Sequence, residues 1–209
     1  TLFRSVGVNH MQAHALTPRL VHVLKRPACE KGNKAETDRH RPAFPFLSIL
    51  VSGGHTMLLE SKGLVDHKIL ASTSDIAIGD CLDKVARAVL PTDILASSES
   101  TMYGALLEKF AFPNGTNYGY TPPRTRGDEL TTRKTPYGWA IKPPLSESAG
   151  GSRTHAMEFF YSGLVTSAEG FMSRQLDPLT GRMTKHPRDP DSISIEERKT
   201  MAREVMRVA

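Results

Sequence analysis

The stretch FPFLSILVSGGHTMLLE, residues 44–60, decides the fold of this chain. Two apolar runs flank Ser52-Gly53-Gly54-His55-Thr56, and Leu47, Ile49 and Val51 alternate with other residues before the glycines. This pattern predicts a β-hairpin with a glycine turn. Residues without a Cβ let backbone N–H groups approach an anion closely. The turn is therefore either an anion-binding loop or a plain turn that needs glycine for its positive φ.

Composition sets the broad class of protein. The 209 residues are 39% hydrophobic and 23% charged, which is typical of a folded domain. No run of about 18 apolar residues occurs, so we expect no contact with a membrane. A net charge of +5 favours a polyanionic partner such as nucleic acid, although basic proteins without one are common. Cys29 and Cys81 form no CxxC motif, which argues against a disulfide framework or a thiolate metal site.

Two histidines are the first candidate ligands. Asn9 is suited to cap a helix on which His10 and His14, four residues apart, project from one face and could share a metal ion. Histidines at this spacing are more often solvated or packed side chains. The zinc-protease pattern HExxH is not met, because Met11 stands where the glutamate is needed. A third ligand, such as a carboxylate, would have to come from elsewhere. Pro18 predicts a kink or an end to the helix.

A second helix is predicted over residues 78–89, with a cap from residues 73–75. Asp83 lies beside its apolar face, where it could bind a ribose hydroxyl or a metal-bound water, or form a surface salt bridge with Lys84 or Arg87. Another helix opens at Tyr103-Gly104.

The remaining motifs lie near the end of the chain. Ser162-Gly163-Leu164 follows a short predicted strand and is either a phosphate or sugar site or a plain connection. Ser194 and Glu197 predict a capping box for a last helix. Polar insertions are expected near 25–43, 112–155 and 176–191. The first lacks hydrophobic periodicity and is predicted to be a loop, and the second is predicted to be irregular. The first is either a basic lip for RNA or a solvated surface loop.

Five motifs occur in one order that identifies a family. They are GVNHMQAHAL at 7–16, LVSGGHTMLL at 50–59, GDCLDKVAR at 79–87, YGALLEKFA at 103–111 and FFYSGL at 159–164. In these motifs the chain resembles the TsaD-type tRNA N6-adenosine threonylcarbamoyltransferases of bacteria and mitochondria, once called O-sialoglycoprotein endopeptidases. The resemblance covers most of the chain outside the three polar stretches.

The resemblance implies an α/β fold, the two-lobed fold of actin, sugar kinases and heat-shock ATPases. Residues 1–209 would be the central part of this domain, incomplete at both ends. The implied activity is transfer of a threonylcarbamoyl group from threonylcarbamoyl-adenylate to the N6 amine of an adenosine in tRNAs that read ANN codons. The implied partners are tRNA, the adenylate, the enzyme that supplies the adenylate and, as one option, a second copy of the chain in a homodimer.

The resemblance also implies metal-binding and ligand-binding residues, and it leaves the catalytic side chains undefined. His10 and His14 match the family's metal-binding histidines, with one divalent ion per subunit that could be iron, zinc or magnesium. The residues that match ligand-binding positions are Leu50, Val51, Ser52, Gly53, Gly54, Asp83 and Gly104.

Departures from the family pattern qualify these expectations. Tyr103 stands where the family has a glycine, and the aspartate that would be the third metal ligand has no counterpart in this chain. The chain is therefore either part of an active transferase or an inactive truncated paralogue that binds tRNA or a partner. A metalloprotease is disfavoured by the missing glutamate. His55 and the form HMQAH resemble the bacterial and mitochondrial branch, and the polar insertions favour a mitochondrial location.

Overall fold

The computed structural model describes residues 7–25, 41–115, 121–146 and 155–209. Its strands are β1 Phe46–Val51, β2 Thr56–Ser61, β3 His67–Thr73, β4 Glu158–Phe159, β5 Arg174–Leu176 and β6 Met183–Pro187. Its helices are α1 His10–Leu24, α2 Ile78–Val89, α3 Thr92–Ala96, α4 Gly104–Ala111, α5 Arg126–Leu130, α6 Ser162–Ser173 and α7 Ile195–Val208. The chain divides into two compact units, the first comprising Thr1–Val51 and Thr56–Ser72, the second Ser52–His55 and Thr73–Ala209. Among the described residues, no helix is long and apolar enough to cross a membrane.

The first unit is built on the predicted hairpin, which is confirmed. β1 pairs antiparallel with β2, so that Val51 lies opposite Thr56, and β2 pairs antiparallel with β3. The residues of β1 alternate between two faces, as predicted. Leu47, Ile49 and Val51 lie on the face exposed to solvent, with exposed fractions of 63%, 62% and 57%.

Helix α1 also belongs to the first unit. It begins as predicted, because the Asn9 side chain accepts hydrogen bonds from the backbone N–H groups of Met11 and Gln12. The prediction that Pro18 ends the helix is wrong, since the helix continues to Leu24, and a kink at Pro18 stays a prediction. A proline removes one backbone donor, and here the carbonyl that loses it belongs to the exposed residue His14, where water can replace the bond.

The second unit is organised around α2, which packs against α4, α6 and α7. Its apolar face is the predicted one, and Val85, Ala86 and Val89 have no exposed surface. Burying such a stripe on several neighbours is what stabilises a helix of this length.

Two of the polar stretches contain more structure than their composition predicts. In the stretch 112–155, Trp139 and Ile141 are 1% and 0% exposed and belong to the core of the second unit. In the stretch 176–191, β6 pairs antiparallel with β5. The expectation of irregular structure in 112–155 is wrong at α5, whereas the backbone at Trp139 and Ile141 lies outside any helix or strand, and single apolar residues without periodicity pack there. Most of the stretch 25–43 lies outside the described residues.

Glu197 joins the last helix to this core. Ser194 caps α7 as predicted, accepting a hydrogen bond of 3.2 Å from the Glu197 backbone N–H. The carboxylate of Glu197, however, turns to Trp139, whose Nε1–H donates at 3.0 Å, and to Arg188, which donates through two nitrogens at 2.8 and 2.7 Å. Glu197 is only 4% exposed, so this polar group is buried with its partners.

Asp75 caps a different helix from the one predicted. α2 follows Ala77 without a side-chain cap, whereas the Asp75 carboxylate accepts from the backbone N–H groups of Tyr161 and Ser162 at the start of α6. Partial burial raises the pKa of Asp75, but the hydrogen bonds from Ser162, Tyr161 and Ile76 outweigh it, so the pKa lies below its usual value. Ser162-Gly163-Leu164 is therefore the first turn of α6, with an internal carboxylate at the position proposed for a phosphate.

Replacing Asp75 should make the free energy of unfolding less dependent on pH in the acid range. The lowered pKa means that Asp75 stabilises the fold above its unfolded pKa of 3.8, and that this contribution is lost as the pH falls through the lower folded value. We expect Asp75→Ala to cost roughly 1 kcal/mol near neutral pH, and progressively less as the pH falls below 3.8. Urea unfolding at neutral pH and along an acid series measures this, with Asp93→Ala as the control. A penalty that does not shrink in acid contradicts the role of the charge.

Candidate ligand-binding site

Asp83 and Gly104 are brought together by the packing of α2 against α4. Oδ1 of Asp83 accepts a hydrogen bond of 2.6 Å from the backbone N–H of Gly104, the first residue of α4. Lys84 pairs instead with Asp80 at 2.7 Å, and the Arg87 guanidinium lies 5.5 Å from the centre of the Tyr103 ring. The salt-bridge alternative for Asp83 is therefore wrong.

The position of Asp83 leaves one oxygen for a ligand. Tyr103 precedes α4 and provides no side-chain cap, so Asp83 takes that role from the neighbouring helix. Oδ2 of Asp83 has no hydrogen-bond partner within the part of the chain that the structure describes. A partly buried carboxylate with one oxygen held and one open is suited to accept a hydrogen bond from a ligand hydroxyl.

The glycine turn is closed by Ser52. Its Oγ accepts from the backbone N–H groups of Gly54 at 3.3 Å and His55 at 2.9 Å, while its own N–H donates to the His55 carbonyl at 2.8 Å. Two backbone donors of the turn thus converge on one place, and the hydroxyl of Ser52 occupies it. An anion bound there would have to replace this hydroxyl. Leu50 and Val51 lead into the turn as the last residues of β1.

The glycines of the turn are not explained by the backbone alone. Among the described residues, positive φ occurs at Leu145 and at the glycines 115, 138 and 181, and not at Gly53 or Gly54. A Cβ added to Gly53 or Gly54 would meet nothing within 4 Å. The explanation that the turn needs positive φ is therefore wrong. The open space beside both residues is consistent with a ligand that approaches the main chain.

A third glycine, Gly79, was not predicted as part of the site. It is the second residue of α2, and a Cβ built there would lie 2.6 Å from Cα and 2.9 Å from N of Gly53. The turn therefore lies directly against the start of this helix. Alanine has a higher helix propensity than glycine, so a glycine at this position of a predicted helix was the sequence signal that could have identified Gly79.

The two histidines of the first unit face each other. His10 Nε2 and His14 Nε2 are 3.2 Å apart, with the rings nearly perpendicular, and both side chains are exposed. Two nitrogens that each lie about 2.1 Å from one ion are separated by about 3.0 to 3.4 Å for angles between 90° and 109°. The observed separation fits a hydrogen bond between the two rings, and it equally fits two ligands of one ion. Within the described residues, no group of three histidine, cysteine, aspartate or glutamate side chains comes together.

Cys81 is not suited to nucleophilic chemistry. It has no exposed surface, and its Sγ lies 3.6 Å from the Tyr161 carbonyl oxygen. Burial, together with the negative charges of Asp75 and Asp80, raises the pKa of the thiol to about 12. The thiolate that a nucleophile requires is therefore almost absent at neutral pH.

Comparison with known proteins identifies the family. A family model for TsaD, tRNA N6-adenosine threonylcarbamoyltransferase, matches residues 31–172. The mitochondrial tRNA N6-adenosine threonylcarbamoyltransferase of the fission yeast Schizosaccharomyces pombe is 42% identical over 166 residues, covering 78% of this chain and 29% of the yeast protein. The enzyme of Buchnera aphidicola is 42% identical over 84 residues, covering 40% of this chain and 20% of its own length. The mitochondrial enzyme of Danio rerio is 42% identical over 82 residues, covering 39% and 16%.

The chain belongs to the TsaD family, and the prediction made from the five motifs is confirmed. Its mixed α/β structure agrees with the actin-like ATPase fold of that family. The chain spans less than a third of the length of these relatives, some of which are mitochondrial and others bacterial.

Proposed function

We propose that the protein transfers a threonylcarbamoyl group from threonylcarbamoyl-adenylate to the N6 amine of an adenosine in tRNA. The bond from N6 to the carbamoyl carbon forms, the bond from that carbon to the phosphate oxygen breaks, N6 loses one proton, and AMP leaves. The observation that carries the proposal is the glycine turn. Neither backbone angle nor space within the described chain requires glycine at Gly53 and Gly54, whereas a ligand against the main chain does.

The residues of the second unit have distinct roles in this proposal. The N–H groups of the turn would bind the phosphate of the adenylate after Ser52 Oγ is displaced. Asp83 would accept a hydrogen bond from a ribose hydroxyl through Oδ2, while Oδ1 stays on Gly104. Such donors and acceptors hold the adenylate in one orientation, and correct placement of reactants is a large part of catalysis.

The histidine pair would hold a divalent ion in this proposal. The separation of 3.2 Å between the two Nε2 atoms supports a shared ion, and the third ligand would come from outside the described residues. When bound, such an ion acts as a Lewis acid that stabilises negative charge on an oxygen. Both iron and zinc accept imidazole ligands, so the two histidines do not decide between these metals. Magnesium prefers oxygen ligands and is the poorest fit of the three.

The net charge and the mitochondrial relatives support the proposed tRNA substrate and the proposed location. A net charge of +5 suits a tRNA substrate, and the mitochondrial relatives support a mitochondrial location. An enzyme that supplies the adenylate would be a further partner, and dimer formation is a proposal that gel filtration can test.

A chimera tests the function directly. This chain would replace the matching segment of the fission yeast enzyme, and the product would be expressed in a strain that lacks threonylcarbamoyl-adenosine. We expect the modified nucleoside, measured by mass spectrometry of digested tRNA, to return. We expect His10→Ala in the chimera to abolish it and to remove the bound metal, whereas the neighbouring change Ala13→Ser leaves both.

Two outcomes would contradict the proposal. A chimera that folds but restores no modified nucleoside argues for a paralogue without transferase activity. Full rescue by His10→Ala argues against a role of the histidine pair in holding the ion.

A further inference from the structure

We infer that Gly79 is a positioning residue for the adenylate site, because the absence of its side chain lets the turn Ser52–His55 lie against the start of α2. This inference rests on the proposed function and adds a residue to it. Gly79 itself would touch no substrate; it would act through the main chain of Gly53.

The contact between Gly79 and the turn is between backbone and backbone. A Cβ on Gly79 would lie 2.6 Å from Cα of Gly53, 2.9 Å from its N and 3.2 Å from the carbonyl carbon of Ser52. All three atoms belong to the main chain, so no rotamer change can relieve the overlap. Either the turn or the first turn of α2 must move.

The movement can be estimated from ordinary contact distances. Carbon atoms that are not bonded pack at about 3.5 to 4.0 Å, so a Cβ at residue 79 would displace the turn by about 1 Å. The far side of α2 is fixed, because Cys81, Val85 and Ala86 have no exposed surface and pack in the core. Since Gly53 and Gly54 are exposed, the turn is the part that would yield.

Gly104 provides a matched control in the same unit. It is the first residue of α4, as Gly79 is the second residue of α2, but a Cβ there would lie 3.5 Å from Oδ1 of Asp83 and 3.6 Å from Cβ of Leu82. These are ordinary contact distances. Gly104→Ala therefore adds the same methyl group to a helix start beside the site without forcing any backbone to move.

The first experiment needs no ligand and uses the 209-residue chain. Amide resonances of Gly53, Gly54 and His55 would be compared between the wild type, Gly79→Ala and Gly104→Ala. We expect large shifts of these three resonances only in Gly79→Ala. Unchanged turn resonances in a folded Gly79→Ala variant would overturn the inference, whatever the function of the protein.

The second experiment uses the chimera and AMP as the probe. A displacement of about 1 Å should weaken AMP binding and raise the KM for the adenylate by about 100-fold in Gly79→Ala, with little change in tRNA affinity. Loss of stability alone would reduce the folded fraction and lower the apparent kcat instead. Wild-type affinity for AMP in Gly79→Ala would overturn the inference, whereas absence of AMP binding in the wild-type chimera would contradict the proposed function.

Discussion

Glu197→Ala is expected to destabilise the second unit by about 3 to 5 kcal/mol, the range measured when one partner of a buried ion pair is removed. The Glu197 side chain is 5% exposed and that of Arg188 is 18% exposed. Without the carboxylate, the Arg188 guanidinium loses two charged hydrogen bonds and Trp139 Nε1–H loses its acceptor inside the core. Unfolding in urea, followed by tryptophan fluorescence, measures the change, and Trp139 is the single tryptophan of the chain.

The preceding residue supplies the control. Glu196 lies on the same helix and contacts Lys199 at 3.1 Å, but its side chain is 64% exposed. Exposed pairs of this kind contribute about 0 to 1 kcal/mol, so Glu196→Ala should be nearly neutral. Equal effects of the two substitutions would show that the buried network adds nothing beyond helix charge.

Glu197 also shows where prediction from sequence fails. The spacing of Ser194 and Glu197 correctly predicts the start of α7, because capping depends on neighbours along the chain. It cannot reveal that the carboxylate meets Trp139, 58 positions away, in a stretch whose composition predicts irregular structure. The prediction for Asp75 fails for the same reason. Its carboxylate accepts from the backbone N–H groups of Tyr161 and Ser162, at the start of a helix far along the chain. Local patterns predict elements, whereas partners across the core depend on packing.

In the candidate site, too, the elements were predictable from the sequence and the contacts between them were not. Both helices and the hairpin turn were predictable from periodicity and glycine, and the family motifs indicated Asp83 and Gly104. The hydrogen bond between these two residues and the close approach of Gly79 to Gly53 were not predictable. They arise from how α2 packs on its neighbours, which a single sequence does not encode in any local pattern. The sequence therefore indicated most of the candidate residues, and the structure supplied the contacts from which we propose their roles.

Asp83 should have two separable effects, one on stability and one on ligand binding. Asp83→Ala removes the acceptor for the Gly104 N–H, which should cost about 1 kcal/mol in the chimera, and should weaken AMP binding by about 100-fold. Asp83→Asn keeps an acceptor oxygen of the same reach, so stability should change by only a few tenths of a kcal/mol. The amide lacks the charge that strengthens a hydrogen bond to a ribose hydroxyl, so AMP binding should still fall by about 10-fold.

Comparing the two substitutions separates a structural aspartate from a ligand-binding one. Asp80→Ala is the control, because Asp80 lies on the same helix and pairs with Lys84 at the surface. If Asp83→Asn restored AMP affinity together with stability, the carboxylate would serve only to hold the start of α4. If it restored stability alone, Oδ1 would position α4 while Oδ2 binds the ligand, and a single side chain would connect the packing of two helices to the specificity of the site.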